Sequence, residues 1–275
     1  MTPDMDFLAA FLKKTTGIIL ATDKGYLVES RLASVAACHG HRNVHSLVDA
    51  LKSFPSEPLR RDVIEAMTTN ETSFFRDGTP FEIMKNHVVP QLLAARQSSK
   101  RIRIWCAAAS TGQEPYSLAM MLLELGSKLA GWKIEILGTD IDTTALKKAS
   151  EATYSKFEIQ RGLPVAYLIK YFEQAGPEIW RLKPAVRSMI TFRQLNLLDG
   201  RAAAGTFDIV FCRNVLIYFD LPTKAAILGN LSSQLADDGY LFLGGAETVL
   251  GITDVLTPCP GVRGTYVKGQ LRAAA

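Results

Sequence analysis

Between Trp105 and Ser117 the sequence reads WCAAASTGQEPYS: an apolar run opens into small residues, and a helix start led by Glu114 and Pro115 follows. Small residues at such a turn let a ligand approach the backbone closely. A dinucleotide-binding turn would carry G-x-G-x-x-G here and seat a pyrophosphate on the helix N-terminus. Only Gly112 is present, and Glu114 sets a carboxylate where the phosphate would go. That arrangement suits a ligand with positive or hydrogen-bond-donating groups and no phosphate. S-adenosylmethionine, with its sulfonium and ammonium, has that chemistry. The same residues also make a plain strand–helix turn with Glu114 in its favoured first turn, and the stretch alone leaves both readings open.

Further polar residues follow other apolar runs. GTDID places Asp140 just past a second strand, where a carboxylate accepts from two ribose hydroxyls. A helix cap is the other use for such an acid, and Asp142 fits that use better. FRQLNLLD sets Asn196 and Leu197 where an adenine edge would be hydrogen-bonded and its face covered. FDIVFCRNVLIYFD runs into Arg213, Asn214 and Tyr218; Tyr218 by itself reads as core packing. TTNETSFFRD, Thr68 to Asp77, sets hydrogen-bonding side chains against a Phe-Phe-Arg step. It is either a cap, two core rings and a surface arginine, or a polar site against an aromatic wall.

These residues need elements to position them. Residues 1 to about 97 read as helices. MDFLAAFLKKTTG sets Phe7, Leu8, Phe11 and Leu12 on one face and stops at Gly17. DKGYLVESRLASVAACHG puts Leu27, Val28, Leu32, Val35 and Ala36 inward, and PLRRDVIEAMTTN does the same with Leu59, Val63, Ile64 and Met67. Pro80 opens a further helix, which Pro90 kinks or restarts. From residue 101 strands alternate with helices, the pattern of a parallel sheet wrapped on both faces. Ligands of such sheets bind at the carboxyl ends of the strands. The stretch of about 40 residues before the strand MITFRQLNL is too long for a plain connection. Residues 153–190 therefore read as a small α/β insertion.

Composition excludes several classes. At 275 residues, 48% hydrophobic and 21% charged, the chain can bury a sizeable core. No apolar run reaches the roughly 18 residues of a membrane helix, so no membrane insertion is expected. The acidic start MTPDMDFLAA does not resemble a signal peptide, which points to the cytoplasm. A net charge of +4 does not indicate a nucleic-acid partner. Cys38, Cys106, Cys212 and Cys259 lack CxxC spacing, so neither zinc nor a disulfide framework is signalled. His39, His41 and His45 fit a helix end at Gly40 more simply than a metal site.

NETSFFRD, CAAASTGQEPYSLAM, GTDID and FDIVFCRNVLIYFD, in this order and spacing, resemble the chemotaxis receptor methyltransferases, the CheR family. The resemblance covers nearly the whole chain. It implies a Rossmann-like, S-adenosylmethionine-dependent methyltransferase domain of the α/β class, with a small inserted subdomain, preceded by an all-helical N-terminal domain. The expected boundaries are 1–90 for the helical domain, 91–275 for the methyltransferase domain and 153–190 for the insertion. By motif match, Asn70, Thr72, Arg76, Glu114, Asp140, Asn196, Leu197, Arg213 and Asn214 fall at cofactor-binding positions. Arg76 and Tyr218 would also face the methyl group. TTNETSFFRD would be a lid from the N-terminal domain, with Phe74 and Phe75 holding Arg76 in place.

The resemblance further implies methyl transfer from S-adenosylmethionine to glutamate side chains in the cytoplasmic helical region of chemoreceptors. The products would be glutamyl methyl esters and S-adenosylhomocysteine. Some members of the family pair the insertion with a tethering C-terminal pentapeptide of the receptor by strand addition. Here the connection EQAGPEIWRLK is short and carries Pro177, so tether-free docking through Lys24, Arg31, Arg60 and Arg61 is expected. Nothing demands an oligomer, and a monomer is expected. A non-catalytic sensor would show a degenerate site, yet Arg76, Asp140 and Tyr218 are all present. A methyltransferase acting on RNA or a small molecule would often carry an N/D-P-P-Y motif, which CRNVLIYF lacks.

Overall fold

The computed structural model describes residues 3–21, 25–200, 203 and 205–269; Lys24 lies outside the described residues. Contacts divide the chain into two units: Met1–Thr69 with Tyr218–Thr223, and Asn70–Ile217 with Lys224–Ala275.

The helical periodicity of the first unit forms α1 (Pro3–Thr16), α2 (Gly25–Cys38), α3 (Val44–Ser53) and α4 (Glu57–Met67). Their inward stripes meet in one core, with Leu8, Leu12, Leu32, Leu47, Val48 and Val63 at 0–1% exposure. Ile64, expected inward, is only partly buried. Asn43 closes α3 with a capping box to Ser46, and the Ser56 hydroxyl accepts from the Leu59 N–H to start α4. Arg31 donates to the carbonyl of Thr68 at 2.7 Å and so ties down the end of α4. The Tyr218 carbonyl accepts from Ile19 N–H at 2.9 Å, and Lys13 pairs with Asp220.

The second unit begins with α5 (Thr79–Ile83), a π-helical turn (Met84–Val88) and α6 (Val89–Ala95). Pro90 in the first turn of α6 removes an N–H, and the helix is rebuilt around that gap. Phe81, Met84, Val88, Val89 and Leu92 pack into the core of the sheet, so the division falls at Thr69/Asn70, earlier than residue 90. Next come β1 (Arg101–Cys106), α7 (Gln113–Glu124), β2 (Lys133–Asp140) and α8 (Thr143–Glu151). The inserted stretch holds β3 (Thr153–Ser155), α9 (Lys156–Gln160), α10 (Val165–Tyr171), β4 (Phe172–Gly176), β5 (Ile179–Leu182) and α11 (Pro184–Arg187). The chain closes with β6 (Ile190–Gln194), β7 (Phe207–Cys212), α12 (Leu221–Gln234), β8 (Leu235–Leu243), β9 (Leu256–Pro258) and β10 (Thr265–Lys268).

The main sheet has the order β6-β2-β1-β7-β8-β10-β9. Strands β6 to β8 run parallel, and β10 pairs antiparallel with both β8 and β9. Every residue of β7 is buried, as expected of a central strand covered on both faces. The order reverses beside β1, which opens a crevice at the carboxyl ends of β1 and β7. The insertion forms its own antiparallel sheet, β3-β5-β4. Pro177 sits in the turn between β4 and β5 and takes no ladder position, so it blocks no strand edge, contrary to expectation. No helix among the described residues is long and apolar enough to cross a membrane.

Candidate active site

The residues singled out by type follow the carboxyl ends of the parallel strands. Asp140 ends β2, with its side chain buried and each oxygen fixed: Oδ2 accepts from Ser110 N–H at 2.8 Å, Oδ1 from Asp142 N–H at 3.0 Å. Burial pushes its carboxyl above the usual carboxylate range, against the pull of those backbone N–H groups. Asp142 caps α8 by accepting from Ala145 N–H at 2.9 Å. Asn70 joins the cluster, its amide donating to Asp142 Oδ2 at 2.5 Å and its carbonyl accepting from the Ser110 hydroxyl at 2.9 Å. Thr72 lines a cavity of about 210 Å³ with Asn70, Thr111 and Gln113.

Gly112 caps the start of α7 at φ 94°. A Cβ there would stand 3.0 Å from both Ala149 and the Tyr154 hydroxyl, so conformation and space both call for glycine. The turn after β6 is held to β2, with Leu195 N–H donating to the Asp140 carbonyl at 2.9 Å. Asn196 Oδ1 in turn accepts from Leu198 N–H at 3.1 Å. Leu197 beside it is half-buried, and its carbonyl accepts from Asn230.

A second cluster gathers on Arg213. Its guanidinium donates to Glu114 Oε2 at 2.9 Å, Asp77 Oδ2 at 2.6 Å and the Arg76 carbonyl at 3.2 Å. Its Nε is buried without a hydrogen-bond partner, an unspent donor. Burial raises the Glu114 carboxyl, and the Arg213 charge only partly offsets it. Arg76 is half-buried and donates to the Glu71 carbonyl at 2.9 Å. Phe74 is fully buried, edge-on to Tyr154 and Phe172, and Phe75 N–H donates to Ser117 Oγ at 3.0 Å. The two rings therefore anchor the stretch that carries Arg76. Cys106 and Cys212 are buried, with thiols pushed up by burial, so neither serves as a thiolate.

The comparisons with known proteins agree with this geometry. The family description "CheR methyltransferase, SAM binding domain" matches residues 70–264, and "CheR methyltransferase, all-alpha domain" matches residues 3–68. The chain is 44% identical to the "Chemotaxis protein methyltransferase Cher2" of Pseudomonas putida, over 92% of this chain and 94% of that one. It is also 44% identical to "Chemotaxis protein methyltransferase 1" of Pseudomonas aeruginosa, over 91% and 92%. This chain belongs to the CheR methyltransferase family. It is an S-adenosylmethionine-dependent methyltransferase with a Rossmann-like catalytic domain and an all-helical N-terminal domain.

The residues of this CheR methyltransferase fit that cofactor. Asp140 accepts one backbone N–H on each oxygen, and a carboxylate has acceptor sites to spare for hydroxyls. Glu114 fills the start of α7 with negative charge, which suits a ligand without phosphate. Arg213 Nε is a donor still to be used. The structure brings together Asn70 with Asp140, and Arg76 with Glu114 and Arg213. Tyr218 groups by its contacts with the N-terminal unit. The stretch Asn70–Asp77 belongs to the methyltransferase unit and not to the helical one, which corrects its reading as a lid from the N-terminal domain. Two acids escaped the sequence reading: Asp77, the last residue of FFRD, and Glu247, in the turn after β8. The signal for Glu247 was an acid following a buried strand, the same pattern that marked Asp140.

Proposed function

We propose that this methyltransferase esterifies glutamate side chains in the cytoplasmic helical region of chemoreceptors, yielding glutamyl methyl esters and S-adenosylhomocysteine in sensory adaptation. Arg76 carries this reading. Among the described residues its guanidinium has no carboxylate partner; it donates only to the Glu71 carbonyl. Its fork is thus free to receive a substrate carboxylate in two-point contact. The names of the relatives support a chemotaxis role.

S-adenosylmethionine, when bound, supplies a methyl carbon on a sulfonium. A glutamate carboxylate is ionised at neutral pH, so no residue of the site need act as a general base. Nor does an electrophile that is already cationic require a metal. The protein's work is to align the carboxylate and to exclude water, which would stabilise the separated charges. Arg76 orients the carboxylate, Asp140 holds the ribose, and Asn196 with Leu197 takes the adenine. Asn70, Thr72, Glu114, Arg213 and Asn214 complete the cofactor contacts; a role for Tyr218 at the methyl group rests on the motif match alone. The enzyme works in the cytoplasm as a monomer.

Docking without a C-terminal tether rests on the short β4–β5 connection alone, since Pro177 lies in that turn and takes no ladder position. The basic docking residues proposed are Lys24, Arg31, Arg60 and Arg61; Arg60 pairs with the exposed Glu57 and Arg61 with the half-buried Asp62. Incubation with methyl-labelled S-adenosylmethionine and receptor-containing membranes tests the proposal. Label should enter the receptor and leave as methanol in mild base. Label that resists base would mean a different acceptor, and no label in the receptor would mean a different substrate.

A further inference from the structure

Glu247 has none of the roles above, yet its side chain is held by a dense set of hydrogen bonds at the strand ends. It is 9% exposed, and its carboxylate accepts from four backbone N–H groups. Oε2 receives Gly244 at 2.6 Å and Asn214 at 2.8 Å; Oε1 receives Val215 at 2.9 Å and Leu216 at 2.7 Å. Four donors use the full acceptor capacity of a carboxylate, so Glu247 has nothing left for a ligand. Three of the donors are consecutive, beginning at Asn214 with φ 58°. Such a run of N–H groups makes a concave anion site of the kind that often cradles a ligand's anion. Here the chain fills it with its own carboxylate.

The surroundings are built for that contact. Glu247 N–H donates to the Gly244 carbonyl at 2.9 Å, which closes the turn after β8. A Cβ on Gly244 would stand 2.7 Å from Glu247 Oε2 and 2.9 Å from Asn214 N, so only glycine leaves room. Through one side chain, the turn after β8 thus fixes the turn after β7. The residues so held include Asn214 and follow directly on Arg213.

We propose that Glu247 is a positioning residue that sets Arg213 and Asn214 for cofactor binding. The proposal rests on the reading of those two residues as cofactor contacts. It acts through backbone placement, so it predicts a change in cofactor affinity in protein that remains folded. A staple with a purely structural role would lower stability and leave the affinity of the folded fraction alone.

The test is calorimetric titration of the full chain with S-adenosylhomocysteine, beside circular dichroism and steady-state kinetics. Glu247→Gln leaves one acceptor oxygen and turns an NH₂ toward the other N–H groups. It should bind at least about tenfold more weakly, with KM for S-adenosylmethionine rising more than kcat falls, as lost cofactor contacts require. Gly244→Ala keeps the carboxylate and displaces it, and should shift affinity in the same direction; it also serves if the Glu247 variants fail to fold. Asn214→Ala tests the reading beneath. If Asn214→Ala binds normally, the turn is not a cofactor contact and the proposal falls with that reading. If Asn214→Ala binds weakly while Glu247→Gln and Gly244→Ala stay within about twofold of wild type, the reading stands and the role of Glu247 is overturned.

Discussion

Replacing Arg213 with alanine should strand a buried charge, and the structure sets the size of the effect. The Arg213 side chain is 1% exposed and that of Glu114 11%, and they meet at 2.9 Å. Asp77 shares the guanidinium at 2.6 Å but is 52% exposed, so solvent screening makes its share of the stability small. Removing one partner of a buried pair costs about 3–5 kcal/mol, chiefly because the other is left desolvated. Replacing both partners with apolar side chains of similar volume is often neutral or stabilising. Arg213→Ala should therefore lose about 3–5 kcal/mol, while Arg213→Met combined with Glu114→Met should regain most of it and remain inactive.

The assay is urea unfolding followed by tryptophan fluorescence. All three tryptophans, Trp105, Trp132 and Trp180, lie in the methyltransferase unit, so the signal reports that unit alone. A pH series sharpens the test. The folded pKa of Glu114 lies above its ordinary value of 4.5, so the ionised carboxylate costs stability. That cost is absent below the unfolded pKa and sets in as pH rises through the folded one. Without Arg213 the folded pKa rises further, so the deficit against wild type should be smallest near pH 4.5 and grow toward neutrality. A deficit independent of pH, or a double variant as unstable as the sum of its parts, would refute the buried-pair reasoning.

Arg76→Ala should slow methyl transfer to receptor membranes by about 10²–10³ and leave the urea midpoint nearly unchanged, since the side chain is half-buried with one hydrogen bond to a carbonyl; a near-normal rate counts against its role. Asp140→Asn turns one acceptor into a donor facing a backbone N–H, and should weaken S-adenosylhomocysteine binding by about 2–4 kcal/mol, roughly 30- to 1,000-fold. In the wild type, affinity should fall as pH drops from neutrality toward 3.8, because burial raises the Asp140 pKa and protonation removes an acceptor; a flat profile would move the ribose elsewhere. Reversing Arg60 and Arg61 to glutamate should slow receptor methylation and change stability by no more than about 0.5 kcal/mol each; unchanged rates would take docking off α4.

The sheet was legible because its strands are apolar runs between turn residues, and because strand ends in an α/β fold are where polar residues gain a use. The helix cap at Asp142 and the kink at Pro90 could be read for the same reason: their causes are local. The placement of TTNETSFFRD could not be. Phe74 is held by Tyr154 and Phe172, and a Cβ on Gly162 would press to 2.1 Å of its carbonyl. Those partners come from the insertion, some eighty residues on, and no window of sequence around Phe74 displays them. Arg213 is similar. Its type marked it as a ligand contact, yet its pairing with Glu114 and Asp77 joins residues 99 and 136 positions away.

Backbone strain shows what those distant contacts do. Among the described residues, seven that are not glycine have positive φ, and four of them lie at the site: Phe75, Asp77, Ser110 and Asn214. Such conformations cost on the order of 1–3 kcal/mol each and persist only where the surroundings over-determine them. Each of the four has its own polar anchor. Phe75 N–H donates to Ser117, Asp77 accepts from Arg213, Ser110 N–H donates to Asp140, and Asn214 N–H donates to Glu247. Strain and anchor are thus paired residue by residue. Contact residues fixed in this way leave more of the binding free energy for orientation. Loosening one anchor should therefore be felt first at its own strained residue and in affinity, before it is felt in the fold.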